Sequence, residues 1–215
     1  LALPTKTLVP TATKTKVPTS TPTRTPTPVP QSSILLQEDF EDGVANGWGV
    51  IKSGEWKVEK EANGNQYWSG SGAADYPQNW YGDATLDWTD YAFESRIKFV
   101  DVAPDSGQIF ICVHSDTGSA FYAVYINLYN LNYAQYNPSK GVSQFGLINT
   151  EPVTALTRGR WYTIRVEIKS SALSIYIDNR LIESDSLPTP LINTQGGIGY
   201  YMGGGDKFYI DDIRV

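Results

Sequence analysis

Two acidic segments near the two ends of the folded region could supply ligands for a metal ion. Asp39 and Glu41 lie in the first segment, and Asp211 and Asp212 lie in the second. Carboxylate oxygens that cluster at the ends of paired strands suit a hard cation such as Ca²⁺. If the first and last strands pair, these residues predict a structural calcium site that joins the two ends. The alternative is that they are solvated charges on edge strands.

Aromatic and amide residues supply a second kind of chemistry, because a carbohydrate site needs flat apolar faces for sugar rings and polar groups for their hydroxyls. Strand alternation in 109–114 and 121–129 predicts one sheet face that carries a histidine, an asparagine and two tyrosines, with a Trp-Tyr pair on a loop at its rim. The predicted carbohydrate-binding residues are Trp80, Tyr81, His114, Tyr125, Asn127 and Tyr129. The alternative is that the aromatics belong to the core and that the single histidine is structural.

The elements that must position these residues are predicted to be β-strands almost throughout. In Tyr91–Phe99, apolar and charged residues alternate with the period of two that is typical of a half-exposed strand. The same alternation recurs in 162–168 and in 173–177, and glycine pairs separate the last strands. Short strands with turn signals between them predict an all-β fold, a two-sheet antiparallel β-sandwich with jelly-roll topology.

Residues 1–33 have a different composition, with seven of the 13 prolines, ten threonines and no acidic or aromatic residue. Such a segment cannot bury a core, because proline fixes φ and removes backbone donors. We predict a disordered Pro/Thr-rich linker at 1–33, which at 3.1 Å per residue spans up to about 100 Å, and one domain at 34–215. Because the chain does not begin with methionine, we expect an upstream domain joined through this linker.

Charge, apolar-stretch length and cysteine content exclude several classes of partner and one kind of covalent link. Residues 34–215 contain 13 basic and 23 acidic residues, a net charge of −10, which argues against binding to nucleic acid or to an anionic membrane surface. No apolar stretch reaches the roughly 18 residues of a membrane span, so we expect no membrane insertion. The single cysteine, Cys112, excludes an internal disulfide. We expect the domain to be monomeric.

The order of several short motifs resembles the concanavalin A-like lectin/glucanase superfamily. The first motifs that carry this resemblance are Asp39-Phe40-Glu41-Asp42-Gly43, Gly47-Trp48, Gly54-Glu55-Trp56-Lys57-Val58, Tyr91-Ala92-Phe93-Glu94 and Ser106-Gly107. Later motifs are similar to laminin-G-like domains and to the 3-keto-disaccharide hydrolase family: Gly159-Arg160-Trp161-Tyr162-Thr163-Ile164, Ile175-Tyr176-Ile177-Asp178-Asn179, Gly197-Ile198-Gly199 and Ile210-Asp211-Asp212-Ile213. These motifs specify a fold and leave the function open.

The two ends of the chain also resemble those of jelly-roll carbohydrate-binding modules, and this resemblance implies a calcium site near Asp39, Glu41, Asp211 and Asp212. We rank Glu41 and Asp211 first among the ligands and Asp39 next. The Glu-x-Asp-x-x-Glu strand of glucanases in this superfamily is absent from the sequence, and glycoside hydrolysis needs a pair of carboxylates at working distance. We therefore assign no catalytic residue.

These observations together predict a noncatalytic module that binds poly- or oligosaccharide at the cell surface or in a secreted protein. Structural calcium is its expected cofactor. Two alternatives stay open: an adhesion or sensor ectodomain that recognises protein, and an enzyme similar to the 3-keto-disaccharide hydrolases that processes glycosides.

Overall fold

The computed structural model describes residues 34–72, 78–81, 86–102, 107–116, 119–149 and 156–215, apart from the side chains of 50–53 and 147–149. The predicted linker at 1–33 lies outside these residues. The strands are β1 (Gln37–Glu38), β2 (Trp48–Ser53), β3 (Glu55–Lys60), β4 (Gln66–Ser71), β5 (Gln78–Tyr81), β6 (Tyr91–Asp101), β7 (Ile109–Ser115), β8 (Phe121–Ile126), β9 (Asn130–Asn137), β10 (Gly141–Asn149), β11 (Trp161–Lys169), β12 (Ala172–Ile177), β13 (Arg180–Ser186), β14 (Gly197–Met202) and β15 (Lys207–Arg214). Across the described ranges, no helix is long and apolar enough to span a bilayer.

These strands form two antiparallel sheets. The eight-stranded sheet has the order β13-β12-β11-β6-β15-β4-β3, with β1 paired to β15, and the seven-stranded sheet has the order β10-β9-β8-β7-β14-β5-β2. Neighbours within each sheet are mostly distant in sequence, as the pairing of β6 with both β11 and β15 illustrates. The predicted all-β fold, a two-sheet antiparallel sandwich, is confirmed.

The core lies between the inner faces of the two sheets, and alternation along each strand builds it. In β6 the buried positions are every second residue, from Tyr91 to Phe99. On the facing sheet, Ile111 of β7 and Val124 of β8 are buried and belong to the same apolar cluster. Each strand of a sandwich therefore contributes one face to the core and leaves one face for other uses.

The two ends of the domain are joined by backbone hydrogen bonds. Strand β1 pairs with β15, with Gln37 opposite Arg214. Beyond the ladder, the N–H of Leu35 donates to the carbonyl oxygen of Val215 at 2.7 Å. The N–H of Val215 donates in turn to the carbonyl oxygen of Leu36 at 2.9 Å. The first and last strands therefore pair, which was the condition for the predicted calcium site, and the ladder itself holds them together.

Candidate functional site

A groove crosses the strands on the outer face of the seven-stranded sheet, and the cross-strand register explains how it forms. One wall is a row of large side chains that runs over five strands: Asn132, Tyr125, Phe110, Tyr201 and Gln78. The next row is small: Ala134, Ala123, Cys112 and Gly199. The third row is large again: Val142, Tyr136 and Phe121. Small residues between two large rows leave a trough perpendicular to the strands.

Aromatic contacts stiffen both walls of this groove. Phe110 stacks on Tyr125 with ring centroids 4.9 Å apart, and Tyr201 meets Phe110 edge to face at 4.8 Å. On the opposite wall, Tyr136 stacks on Phe121 at 5.1 Å. The enclosed volume is about 350 Å³, which lies within the usual range for small-molecule sites. Each wall therefore offers flat aromatic faces to a ligand in the groove.

Trp80 lies at the β5 end of the small row, next to Gly199, and has no exposed surface. Its indole covers Gly199 so closely that a Cβ added there would lie 2.1 Å from Cε3 of Trp80. The ring of Phe121 also packs against the indole, at 5.3 Å. Glycine at 199 is therefore required by packing, and Trp80 contributes by positioning the Phe121 wall.

Amide side chains supply the polar groups of the site. Gln78 and Gln108 line one end of the groove together with the aromatic residues. At the other end, the hydroxyl of Tyr125 donates to Oε1 of Gln144 at 2.9 Å, and Nε2 of Gln144 donates to Oδ1 of Asn132 at 2.8 Å. The described residues that line the groove include no charged side chain. Its chemistry is that of aromatic rings and amides.

A β-bulge sets the position of Gln144 in this network. The register between β10 and β9 shifts between Gln144 and Gly146, so that Gln144 lies opposite Ala134 and Gly146 lies opposite Tyr133. The extra residue, Phe145, packs against the ring of Tyr133 at 5.1 Å. Bulges of this kind commonly redirect a side chain beside a functional site, and here the bulge brings the amide of Gln144 to Tyr125.

The structure places two of the six sequence-predicted carbohydrate residues on the groove face, Tyr125 in the first wall and Trp80 buried at the end of the small row. Tyr81 lies next to Trp80 but stacks on Trp88 at 6.0 Å, beside the core. Asn127 and Tyr129 belong to the turn between β8 and β9, where Oδ1 of Asn127 accepts the N–H of Tyr129 at 2.8 Å. Whether any of these residues binds ligand stays a prediction.

The position expected for His114 is wrong, and a bulge in β7 is the cause. Gly197 of β14 lies opposite Ser115 and Gly199 lies opposite Cys112, so β7 contains one extra residue between these pairs. His114 takes a φ of 48° there, and its ring lies 5.6 Å from that of Tyr91 in the core. Simple alternation fails at a bulge, because the extra residue reverses the face of everything on one side of it.

Burial controls the ionisation of the titratable groups near the groove. Desolvation lowers the pKa of His114 below its ordinary value, since a buried imidazole loses the hydration of its charged form. Burial also raises the pKa of the Cys112 thiol and of the Tyr125 hydroxyl. All three groups are therefore neutral near pH 7, and Cys112 is not an activated nucleophile.

The acidic residues at the two ends are engaged by protein donors. Oδ2 of Asp211 accepts a hydrogen bond from Nδ2 of Asn65 at 3.0 Å. Oε1 of Glu41 accepts one from the backbone N–H of Gln66, the residue after Asn65, at 2.9 Å. Asp212 pairs with Arg96 at 3.0 Å. Oxygen donors of this type suit calcium, but the described part of the chain contains no group of three or more acidic, cysteine or histidine residues that could hold a metal. Calcium stays a prediction.

Local backbone geometry explains how Asp211 and Asp212, which are consecutive in β15, both approach Arg96. The register of β15 against β6 shifts between Asp211 and Arg214, and Asp212 has a φ of 47°. As a result, the guanidinium of Arg96 lies 3.6 Å from Asp211 and 3.0 Å from Asp212. Asp39 is exposed, and its Oδ1 accepts a local hydrogen bond from the backbone N–H of Glu41 at 3.2 Å.

Sequence reasoning missed several residues that form the groove: Gln78, Gln108, Phe121, Tyr136 and Tyr201. All of them except Gln108, which precedes β7, lie in apolar or amide-rich strands, where alternation gives the face. The missing information was the register, because only the pairing of β9 with β8 puts Tyr136 opposite Phe121. Likewise, only the pairing of β14 with β7 puts Tyr201 opposite Phe110.

Comparisons with known proteins relate this chain to others by fold. No protein-family model matches it, and no curated protein matches it by sequence. Among solved structures, the carbohydrate binding module CBM66 from Bacillus subtilis superposes with a TM-score of 0.60 at 15% identity, over 78% of this chain and 93% of the module. A glycoside hydrolase family 16 endo-glucanase from Bacteroides ovatus gives 0.64 at 13% identity, over 85% of this chain and 100% of the enzyme.

A third similar structure is the binding domain of botulinum neurotoxin serotype D, with a TM-score of 0.57 at 12% identity over 85% of this chain. This chain spans 47% of that domain. These likenesses show that the fold is the concanavalin A-like jelly-roll sandwich, as the sequence motifs implied.

Proposed function

We propose that this domain is a noncatalytic carbohydrate-binding module and that the groove on the seven-stranded sheet is its binding site. The observation that carries the proposal is the lining of the groove, in which aromatic walls from Phe110, Tyr136 and Tyr201 flank amides from Gln78 and Gln108. Aromatic faces stack on the C–H side of a sugar ring, and amides both donate to and accept from its hydroxyls. The fold shared with a carbohydrate binding module supports the same proposal.

The noncatalytic part of the proposal rests on the described residues that line the groove, none of which carries a carboxylate. Retaining and inverting hydrolysis both need two acidic groups that flank the bond. In the part of the chain that the structure describes, the residues that line the groove are apolar, aromatic or amide. This supports binding over hydrolysis, although the fold is shared with an endo-glucanase.

A glycan array probed with the full chain tests this proposal. We expect binding to at least one class of poly- or oligosaccharide, with release of no reducing sugar on prolonged incubation. Absence of binding to every glycan refutes the proposed function, and release of reducing ends refutes its noncatalytic part.

Recognition of a protein is the second candidate, and one observation favours it. Val142 is 60% exposed at the rim of the groove, on β10, which is the edge strand of its sheet. An exposed edge can pair with a strand from a partner. Ser143→Lys separates the two candidates, because Ser143 is exposed on the same edge strand but does not line the groove. A charge there blocks strand addition, while the walls that stack on sugar stay in place.

Three further features complete the proposal. Structural calcium is bound near Glu41 and Asp211, where oxygen donors from two ends of the domain approach adjacent residues. The module acts at the cell surface or in a secreted protein, and residues 1–33 connect it to an upstream domain. A spacer of this kind gives a weak site its use, because tethering raises the effective concentration of ligand.

A further inference from the structure

Charged residues are divided very unevenly between the two sheets. The strands of the eight-stranded sheet contain ten acidic and nine basic residues. The strands of the seven-stranded sheet contain no acidic residue and one basic residue, Lys52. Solvent-facing sheet surfaces ordinarily carry charged side chains, so a nearly uncharged outer face is a departure that calls for a physical reason.

Several basic residues of the eight-stranded sheet are paired with acidic neighbours. Lys98 pairs with Glu61 and lies 4.8 Å from the ring of Trp161, while Arg165 pairs with Glu167 at 2.6 Å. Those cations lie on the opposite face of the sandwich from the groove. They balance their own neighbours and cannot reach a ligand in the groove.

The segments outside the described residues cannot supply cations either, as their sequence shows. Within 34–215 these segments are 73–77, 82–85, 103–106, 117–118 and 150–155, and none contains lysine, arginine or histidine. Four of them contain one acidic residue each. Lys140, in the turn between β9 and β10, is exposed and does not line the groove. The described side chains that line the groove include no cation, so a carboxylate or sulfate there would lose its hydration without a positive partner among them, which is costly.

We infer that the groove selects uncharged glycans and rejects those that carry carboxylate or sulfate groups. This inference rests on the proposed function and names the class of ligand for the same site. The selection has two parts: desolvation of an anion beside Phe110 and Tyr136 without a counter-charge, and repulsion of a polyanion by a domain with a net charge of −10. Only the second part weakens with salt.

The test compares a neutral soluble polysaccharide that the full chain binds with two derivatives of the same polymer. In the first derivative a fraction of the primary hydroxyls is oxidised to carboxylates, and in the second these carboxylates are converted to methyl esters. We expect the oxidised form to bind at least about tenfold more weakly at about 0.15 M salt, with part of that loss persisting at about 1 M salt. We expect the ester to recover most of the affinity, because it is uncharged.

A charge introduced into the groove gives the second arm of the test. Gln78→Lys adds a cation at the end of the first wall, and Ser184→Lys adds the same charge on the exposed edge of the other sheet. We expect Gln78→Lys to reduce the discrimination against the oxidised polymer severalfold and Ser184→Lys to leave it nearly unchanged. Equal effects of the two variants overturn the inference, because they would show that only net charge matters.

The outcomes separate the inference from the function on which it rests. If the oxidised polymer binds as well as the neutral one, the inference is overturned and the proposed function stands. If the ester binds as weakly as the oxidised form, the loss comes from missing hydroxyls, and the inference is again overturned. If no neutral polymer binds, the proposed function fails and takes the inference with it.

Discussion

The roles of two aromatic residues on the same sheet face can be separated by truncation, and Tyr136→Ala is the central variant. Tyr136 is half-buried and forms one wall of the groove, where it stacks on Phe121 at 5.1 Å. Removal of an aromatic anchor from a binding site costs about 1–3 kcal/mol of binding, which corresponds to roughly 5- to 150-fold in Kd. Loss of one aromatic pair costs about 0.5–1.5 kcal/mol of stability, or about 1–6 °C in Tm for a domain of this size.

Trp80→Ala should give the opposite pattern. Trp80 has no exposed surface and packs against both Gly199 and Phe121. Truncation of a fully buried tryptophan costs about 3–5 kcal/mol of unfolding free energy, which lowers Tm by about 6–20 °C. The sequence analysis listed Trp80 as a predicted ligand contact, and its complete burial makes loss of stability the expected result of its removal.

Tyr176→Ala is the matched control, because this tyrosine is also half-buried but lies on the eight-stranded sheet under the guanidinium of Arg165 at 4.3 Å. We expect a small loss of stability and no change in affinity. Thermal unfolding by circular dichroism and titration calorimetry with the glycan identified on the array give both quantities for each variant. The assignment of the groove is refuted if Tyr136→Ala binds like wild type or if Tyr176→Ala weakens binding to the same extent.

Three further predictions follow from the rest of the molecule. Chelator should lower Tm and added Ca²⁺ should restore it, because Ca²⁺ at 100 times its Kd adds about 2.7 kcal/mol to the free energy of unfolding. Asp211→Asn should abolish this response. An unchanged Tm, together with no metal by elemental analysis, refutes the calcium site. Deletion of 1–33 should leave Tm and glycan affinity unchanged, whereas an insoluble 34–215 fragment shows that the boundary is wrong. The contribution of His114 to stability should be complete above the ordinary histidine pKa of about 6.5 and should fall as the pH drops below it, because burial lowers the pKa of His114 in the folded state. His114→Asn should reduce the dependence of unfolding free energy on pH in this range.

Alternation was enough to predict most of the fold. The period of two in β6 assigned Tyr91 and Phe93 correctly to the core, because residues between bulges obey the pleat. The same rule placed Tyr125 on the outer face and Val124 on the inner face of β8. Fold class could therefore be derived from residues taken one strand at a time.

The candidate site could not be derived in this way, because it depends on relations between strands. His114 was placed on the wrong face since nothing in its own sequence marks the extra residue in β7; the bulge is visible only against Gly197 and Gly199. The groove itself arises where Ala123 and Ala134 fall into one row. Such a row is a property of register, which turn geometry and packing of the whole sheet determine.

The division of charge between the sheets suggests how one small domain can combine solubility with a neutral binding face. A sandwich has two outer faces, and charge on either of them keeps the domain soluble. Here the eight-stranded sheet carries a lattice of ion pairs and cation–π contacts, such as Lys207 with Glu59 and Tyr209. Under the proposed function, the seven-stranded sheet can then present aromatic and amide groups to an uncharged ligand. If this division is the reason for the pattern, neutralising two exposed carboxylates of the eight-stranded sheet with Glu55→Gln and Asp185→Asn should reduce solubility without altering glycan affinity, because the net charge moves towards zero. A change in affinity without a change in solubility would contradict it.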